Sequence, residues 1–201
     1  MAPDLARTLQ AALAASGPAS SDFDLNPGVV LPEQRKLRPA AVLVGVQEGA
    51  RGPEVVLTKR ASHLRHHPGQ IAFPGGRQDA EDHDLLATAL REAREEIGLP
   101  TPAVNVIGIL PAHETVTGYQ VTPVLAAITD LVAYTPEPGE VAEVFAVPLA
   151  HLTDPAQFRV ERRMWRGTWR NYYVVPWGPY YIWGATARIL RGLAERVSEC
   201  R

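Results

Sequence analysis

Apolar residues recur at two different spacings along this chain, and the spacing changes from segment to segment. Residues 4–15 place Leu5, Leu9, Ala12 and Leu13 on one side, which predicts a helix. Residues 16–32 are rich in Pro, Ser and Gly and read as a connector. Short apolar runs at 40–46, 55–58, 104–110 and 121–128 predict strands. Residues 140–147 form an acidic-apolar strand that Pro148 ends, and 150–152 a short helical turn. Residues 160–165 and 172–175 are expected to pair as a hairpin around Arg166-Gly167-Thr168-Trp169, and 185–197 to form an amphipathic C-terminal helix. There is no internal repeat and no low-complexity tract. Strands flanked by helices place the chain in the α/β class.

The strongest helical pattern lies in the middle. Leu86, Leu90, Ala93 and Ile97 recur at intervals of three and four, and Leu85 and Ala89 widen the stripe. Asp82 and Asp84 are both suitable N-caps, since a short carboxylate accepts the orphan N–H bonds of a first turn and suits the positive end of the helix dipole. Gly98 followed by Pro100 is a stop signal. The helix is therefore expected over 85–97. Away from its apolar stripe it carries Glu92, Glu95 and Glu96. Residues three or four apart are neighbours on a helix surface, so these like charges cost about 0.2–0.5 kcal/mol per pair. A divalent cation reverses that sign, because hard cations take carboxylate oxygens, and Mg²⁺ is commonly held by one or two carboxylates together with substrate phosphates. Arg91 and Arg94 neutralise part of the charge. A plain solvated face is the competing reading. Gly75-Gly76 ahead of the helix favours a site, because a glycine turn lets backbone groups approach a ligand closely.

Composition narrows the class. With 201 residues, 46% hydrophobic and 21% charged, the chain is long enough for a substantial core and has the balance of a soluble protein. A net charge of −2 gives no electrostatic case for nucleic acid. No apolar run reaches membrane-spanning length, and the N-terminus, with Asp4, lacks the charged-then-apolar pattern of a signal region. The single cysteine, Cys200, permits no internal disulfide, which fits a cytoplasmic location.

The segment from Gly76 to Leu99 resembles the box of the Nudix hydrolases, Gly-x5-Glu-x7-Arg-Glu-U-x-Glu-Glu-x-Gly-U, where U is bulky and apolar. Gly76 matches the opening glycine, and Arg91, Glu92, Glu95, Glu96, Gly98 and Leu99 match the second half. Asp82 stands at the first glutamate position, one extra residue separates it from Arg91, and Ala93 is small for the first U. Upstream, residues 57–76 resemble the signature of the Nudix coenzyme A pyrophosphatases, Leu-Thr-x-Arg-[Ser/Ala]-x3-Arg-x3-Gly-x3-Phe-Pro-Gly-Gly. Arg60, Ala61, Arg65, Gly69 and Phe73 to Gly76 match in spacing. That sub-family also carries the Asp and the extra residue. Softer similarity at 119–124 and 183–190 extends the resemblance over 39–193.

The resemblance implies a Nudix fold, a mixed β-sheet sandwiched between α-helices with the box as loop-helix-loop. It implies one domain over 1–201, with helix and connector at 1–32 and catalytic core at 33–201. The implied reaction is hydrolysis of the pyrophosphate of coenzyme A or acyl-coenzyme A to 3′,5′-ADP and 4′-phosphopantetheine or its acylated form, with Mg²⁺ or Mn²⁺. Glu92 and Glu96 would be the principal metal ligands, Glu95 would assist, Gly75 would offer its carbonyl, and Arg91 would orient the carboxylates. Arg60, Arg65, Gly69, Gln70 and Gly76 are the expected substrate contacts. For the arginines, bidentate binding of phosphates competes with a structural role bracing the glycine loop. For the general base, Glu92 comes first and Glu114, in a candidate loop at 113–118, competes with it.

Three other readings compete with it. They are a Nudix hydrolase of another nucleoside diphosphate compound, such as ADP-ribose or a dinucleotide; a silent nucleotide-binding module; and a scaffold. His63, His66 and His67 invite a zinc reading, which the lack of a neighbouring cysteine or a second His pair disfavours. Trp165, Trp169, Tyr172, Tyr173, Trp177, Tyr180 and Tyr181 suit adenine stacking, a cover over pantetheine, core packing or a homodimer interface.

Overall fold

In a computed structural model, which describes residues 3–15, 17–31, 35–129, 132–165 and 167–199, the organising element is a long strand. The elements in chain order are α1 (Pro3–Ala14), β1 (Ser20–Ser21), β2 (Arg38–Gly49), β3 (Gly52–Arg60), β4 (Ile71–Ala72), β5 (Gly75–Arg77), α2 (Leu85–Ile97), β6 (Val104–Ile109), β7 (His113–Glu114), β8 (Tyr119–Ile128), β9 (Val141–Pro148), α3 (Leu149–Leu152), β10 (Arg159–Trp165), β11 (Thr168–Val174) and α4 (Ala185–Glu199). Cys200, Arg166 and the ends of the expected connector, Ser16 and Pro32, lie outside the described residues.

Strand β2 pairs in parallel with β8 along one edge. Its other edge is shared by β5, antiparallel to Ala40–Val42, and β3, antiparallel to Val46–Gly49. Strand β9 then pairs with β3, and β6 and β7 with β8, so the sheet is mixed. Side chains alternate between its faces. Val44, Val46, Val55, Leu57, Leu125 and Val147 pack with Leu5 and Leu9 of α1 and Leu190 and Leu193 of α4. Ala41, Leu43, Val56, Val124 and Ala126 pack with Ala89, Ala93 and Ile97 of α2. Helices cover both faces, which explains why these strands read as continuous apolar runs instead of a polar-apolar alternation. Each fully buried Leu or Ile contributes about 1.5–3 kcal/mol.

Two expectations change here. The stretch 16–32 is more than a connector: Ser20–Ser21 pairs in parallel with His113–Glu114. The joint is clasped by His113, fully buried, whose Nδ1 lies 3.0 Å from Ser20 Oγ and Nε2 3.2 Å from Asp22 Oδ1. Further along, the Asn26 side-chain amide donates to Asn171 O (2.9 Å), and its carbonyl accepts from Asn171 N–H (2.8 Å). Second, Gly75-Gly76 is a strand edge and not a turn, with Val42 opposite Gly75 and Ala41 opposite Gly76.

The aromatic-rich region divides. Strands β10 and β11 form a separate two-stranded sheet. Tyr173, Trp177 and Tyr180 pack against the core, with Tyr180 stacked on Phe145 at 3.6 Å between ring centroids. Trp169 stays exposed near the hairpin tip. No described helix is long and apolar enough to cross a membrane.

Candidate metal and phosphate site

Helix α2 begins where Asp84 Oδ1 accepts the Ala87 N–H at 2.7 Å. It ends at Gly98, whose left-handed φ of 67° lets its N–H reach back to Arg94 O. Asp84, not Asp82, is thus the cap. The face turned to the sheet is built from small residues, Ala89 and Ala93 against Ala41. This close approach sets Glu92 and Glu96 beside the double glycine. The Gly75 N–H donates to Glu96 Oε2 at 3.0 Å. A β-carbon on Gly75, which has a φ of 155°, would lie 2.4 Å from Ala41 O, and one on Gly76 would lie 2.5 Å from Glu92 Oε1. Gly75 therefore requires glycine for strand pairing, whereas a β-carbon on Gly76 would displace the Glu92 carboxylate.

The three glutamates are not equivalent. The side chain of Glu96 is 5% exposed, that of Glu92 15% and that of Glu95 51%. Burial pushes the Glu96 carboxyl up to about 7, opposed by the Gly75 N–H and the Arg60 charge and reinforced by Glu92 and Glu140. Glu92 is also raised, first by burial, with Arg91 opposing and Glu95 and Glu140 adding to the rise. Arg91 organises the set. It grips Asp82 with a two-pronged fork, Nε to Oδ1 at 2.9 Å and Nη2 to Oδ2 at 2.8 Å. Its Nη1 reaches Glu92 Oε1 at 2.9 Å and Glu95 Oε2 at 3.0 Å, and Nη2 donates to Arg77 O at 3.2 Å. The Arg91 bonds hold Asp82 well below the usual carboxylate range, and Asp82 in turn raises Arg91. Asp82, at the departing box position, anchors the arginine.

Arg60, at the end of β3, points into this region, its Nη1 4.0 Å from Glu96 Oε1. The loop that follows returns onto it: Gly69 N–H donates to Arg60 O at 3.1 Å and Arg60 N–H to Gln70 O at 3.0 Å. The Gln70 side chain lies toward Gly184. Arg65, His63, His66 and His67 are exposed on this loop. Glu114 stands apart. It lies on β7, three strand spacings from β5 through β8 and β2, roughly 14 Å of sheet. Its carboxylate is engaged by Arg35, with Nη2 to Oε2 at 2.7 Å.

Among the described residues no three His, Cys, Asp or Glu side chains are already gathered around a common point. The donor set nevertheless fits a hard divalent ion. Glu92 and Glu96 are one helical turn apart, both partly desolvated, beside a cradle that a single β-carbon would fill. Two carboxylates completed by water and phosphate oxygens are what Mg²⁺ commonly takes.

Comparison with known proteins gives the family and the fold. The family model for the NUDIX domain matches residues 36–168. This chain belongs to the Nudix family. A protein named "Uncharacterized Nudix hydrolase NudL" from Cronobacter sakazakii (strain ATCC BAA-894) is 45% identical over 164 residues, 81% of this chain and 84% of that one. One of the same name from Salmonella heidelberg (strain SL476) is 41% identical over 177 residues, 88% and 92% of the two chains. Among solved structures, a MutT/nudix family protein from Enterococcus faecalis matches with a TM-score of 0.50 at 16% identity, over 86% of this chain and 66% of that one. The Nudix fold, a mixed sheet between helices, is thus the architecture of the chain.

Glu140 was missed as a site residue by sequence reasoning, which placed it at the start of a strand. It occupies the turn before β9, and its charge acts on both Glu92 and Glu96. No spacing rule links it to the helix; only the docking of its turn does.

Proposed function

We propose that this Nudix hydrolase cleaves the pyrophosphate bond of coenzyme A and its thioesters, giving 3′,5′-ADP and 4′-phosphopantetheine or its acylated form, with Mg²⁺ or Mn²⁺. The observation that carries the reading is the placement of Glu92 and Glu96 against Gly75-Gly76, with Arg60 4.0 Å from Glu96. Glu92 and Glu96 would hold the divalent ion, which would supply positive charge against the diphosphate and acidify water there. The chain's own residues do the rest. Arg91 holds the Glu92 and Glu95 carboxylates in fixed directions. The Gly75 N–H holds one Glu96 oxygen and leaves the other facing Arg60. Arg60 offers a planar, permanently charged fork to the diphosphate oxygens. Arg65, exposed on the loop that Gly69 and Gln70 fold back onto Arg60, is the cation assigned to the 3′-phosphate.

The choice of coenzyme A over other nucleoside diphosphates rests on the upstream signature around Arg60, Arg65 and Gly69. Incubation with coenzyme A and Mn²⁺ in ¹⁸O-water, followed by mass spectrometry, reports activity, products and the phosphorus attacked together. Turnover of coenzyme A should exceed that of 3′-dephospho-coenzyme A, and Arg65→Ala should erase the difference. Equal turnover of both substrates by the parent protein would remove the coenzyme A assignment, and no cleavage of either would remove it outright.

A further inference from the structure

Hydrolysis needs a group that takes a proton from the attacking water. We propose that Glu140 is this base, a reading that rests on the proposed function. Four backbone contacts place it. The Glu137 N–H donates to the carbonyl of Glu96 itself at 2.9 Å, which docks the turn 137–140 on the end of α2. The Glu140 and Val141 N–H groups both donate to Glu137 O, at 3.0 and 2.8 Å, closing that turn. The Ala61 N–H donates to Glu140 O at 2.8 Å, and Val141 is the cross-strand partner of Arg60. Glu140 therefore sits where the helix end, the arginine-bearing strand end and the turn meet.

Availability separates Glu140 from Glu92, Glu95, Glu96, Glu137, Glu143 and Glu114. Glu92 and Glu95 accept from Arg91, Glu96 from Gly75 N–H, Glu137 from Gly139 N–H, Glu143 from Tyr180 and Glu114 from Arg35. Among the described residues, nothing hydrogen-bonds or ion-pairs with the Glu140 carboxylate, and it is exposed. A carboxylate already paired with a guanidinium is a poor proton acceptor, because protonation breaks that pair. Glu140 remains within electrostatic reach of both Glu92 and Glu96, each of which its charge raises. In the step assigned to it, a water oxygen forms a bond to phosphorus and one water proton passes to a Glu140 oxygen. The bridging P–O bond breaks, and its electron pair leaves with the departing phosphate. The proton then returns to solvent.

The test compares the full chain with Glu140→Gln and Glu140→Asp, with folding checked by thermal melting. The measurements are kcat and KM for coenzyme A at saturating Mn²⁺ and, separately, Mn²⁺ affinity by electron paramagnetic resonance without substrate. Expected are a fall in kcat of about 10²–10⁴-fold for Glu140→Gln, KM and Mn²⁺ affinity close to the parent's, and partial recovery of kcat in Glu140→Asp. Parent-like kcat in Glu140→Gln overturns the assignment. So does a loss confined to Mn²⁺ affinity and cured by excess Mn²⁺, which would make Glu140 an ion-binding group. A parent protein inert toward coenzyme A and other nucleoside diphosphate compounds overturns the functional reading instead, and is told apart by the parent measurement alone.

Discussion

The carboxylate of Glu92 occupies the space that a side chain on Gly76 would fill: a β-carbon there would come within 2.5 Å of Glu92 Oε1. The opening glycine of the motif and its central glutamate are therefore two halves of one steric fit, sixteen positions apart in the chain.

Gly76→Ala is expected to displace the Glu92 carboxylate while sparing the β2–β5 pairing, because the obstructing atoms belong to a side chain and not to backbone. Hydrolysis should fall by about 10²-fold or more, as a misplacement near 1 Å does in other sites. Mn²⁺ affinity should fall with it, while the melting temperature changes little. Kinetics and an Mn²⁺ titration check both.

Asp82→Asn keeps the shape but removes the charge that Arg91 grips. Asp82 is held low in the folded state, so its stabilising contribution is present above the unfolded carboxylate pKa of about 3.9 and is lost as pH falls through the lower folded value. The variant should lose about 1–3 kcal/mol at neutral pH, and its deficit should shrink below pH 4. Urea melts at pH 7 and pH 3 measure both.

Glu96 has the opposite sign. Its folded carboxyl, pushed up to about 7, costs stability as pH rises from the unfolded value of 4.5 through 7. Glu96→Gln should therefore stabilise the metal-free protein at pH 8, by an amount on the order of 1–3 kcal/mol, and yet weaken Mn²⁺ binding strongly. In the parent, Mn²⁺ affinity should rise with pH up to about 7 and level off above it. Calorimetric titration at pH 6 and pH 8 reads this directly.

Glu114→Gln and Glu92→Gln separate two candidate sites. Glu114 pairs with Arg35 on a different part of the sheet, so its loss should change kcat by less than about fivefold, near 1 kcal/mol. Glu92→Gln should cost orders of magnitude by removing an ion-binding carboxylate. Parallel steady-state assays on the two variants decide between them.

Helix α2 was legible because every local signal agreed: the stripe from Leu86 to Ile97, an aspartate cap, and a glycine that can turn left-handed. The glutamate spacing was legible for the same reason. What escaped was non-local. Strands of two or three residues, such as Ser20–Ser21 and Gly75–Arg77, carry no periodicity, and their identity comes from partners 33 to 93 positions away. His113 reads as a loop residue until Ser20 and Asp22 close around it. Glu114 was drawn toward the site because a loop glutamate has no visible address in sequence, whereas the sheet order assigns it to another edge. Glu140 became visible only through the docking of its turn on Glu96 and Ala61.

One Asn26 amide satisfies both main-chain groups of Asn171 that face away from β10, so a single side chain stands in for a missing neighbouring strand. Versions of the protein trimmed to begin at the family-matched region would bare that ladder to water. Two such molecules would then have matching unpaired rungs, a template for sticking between copies, beside the core surface that loss of Leu5 and Leu9 exposes.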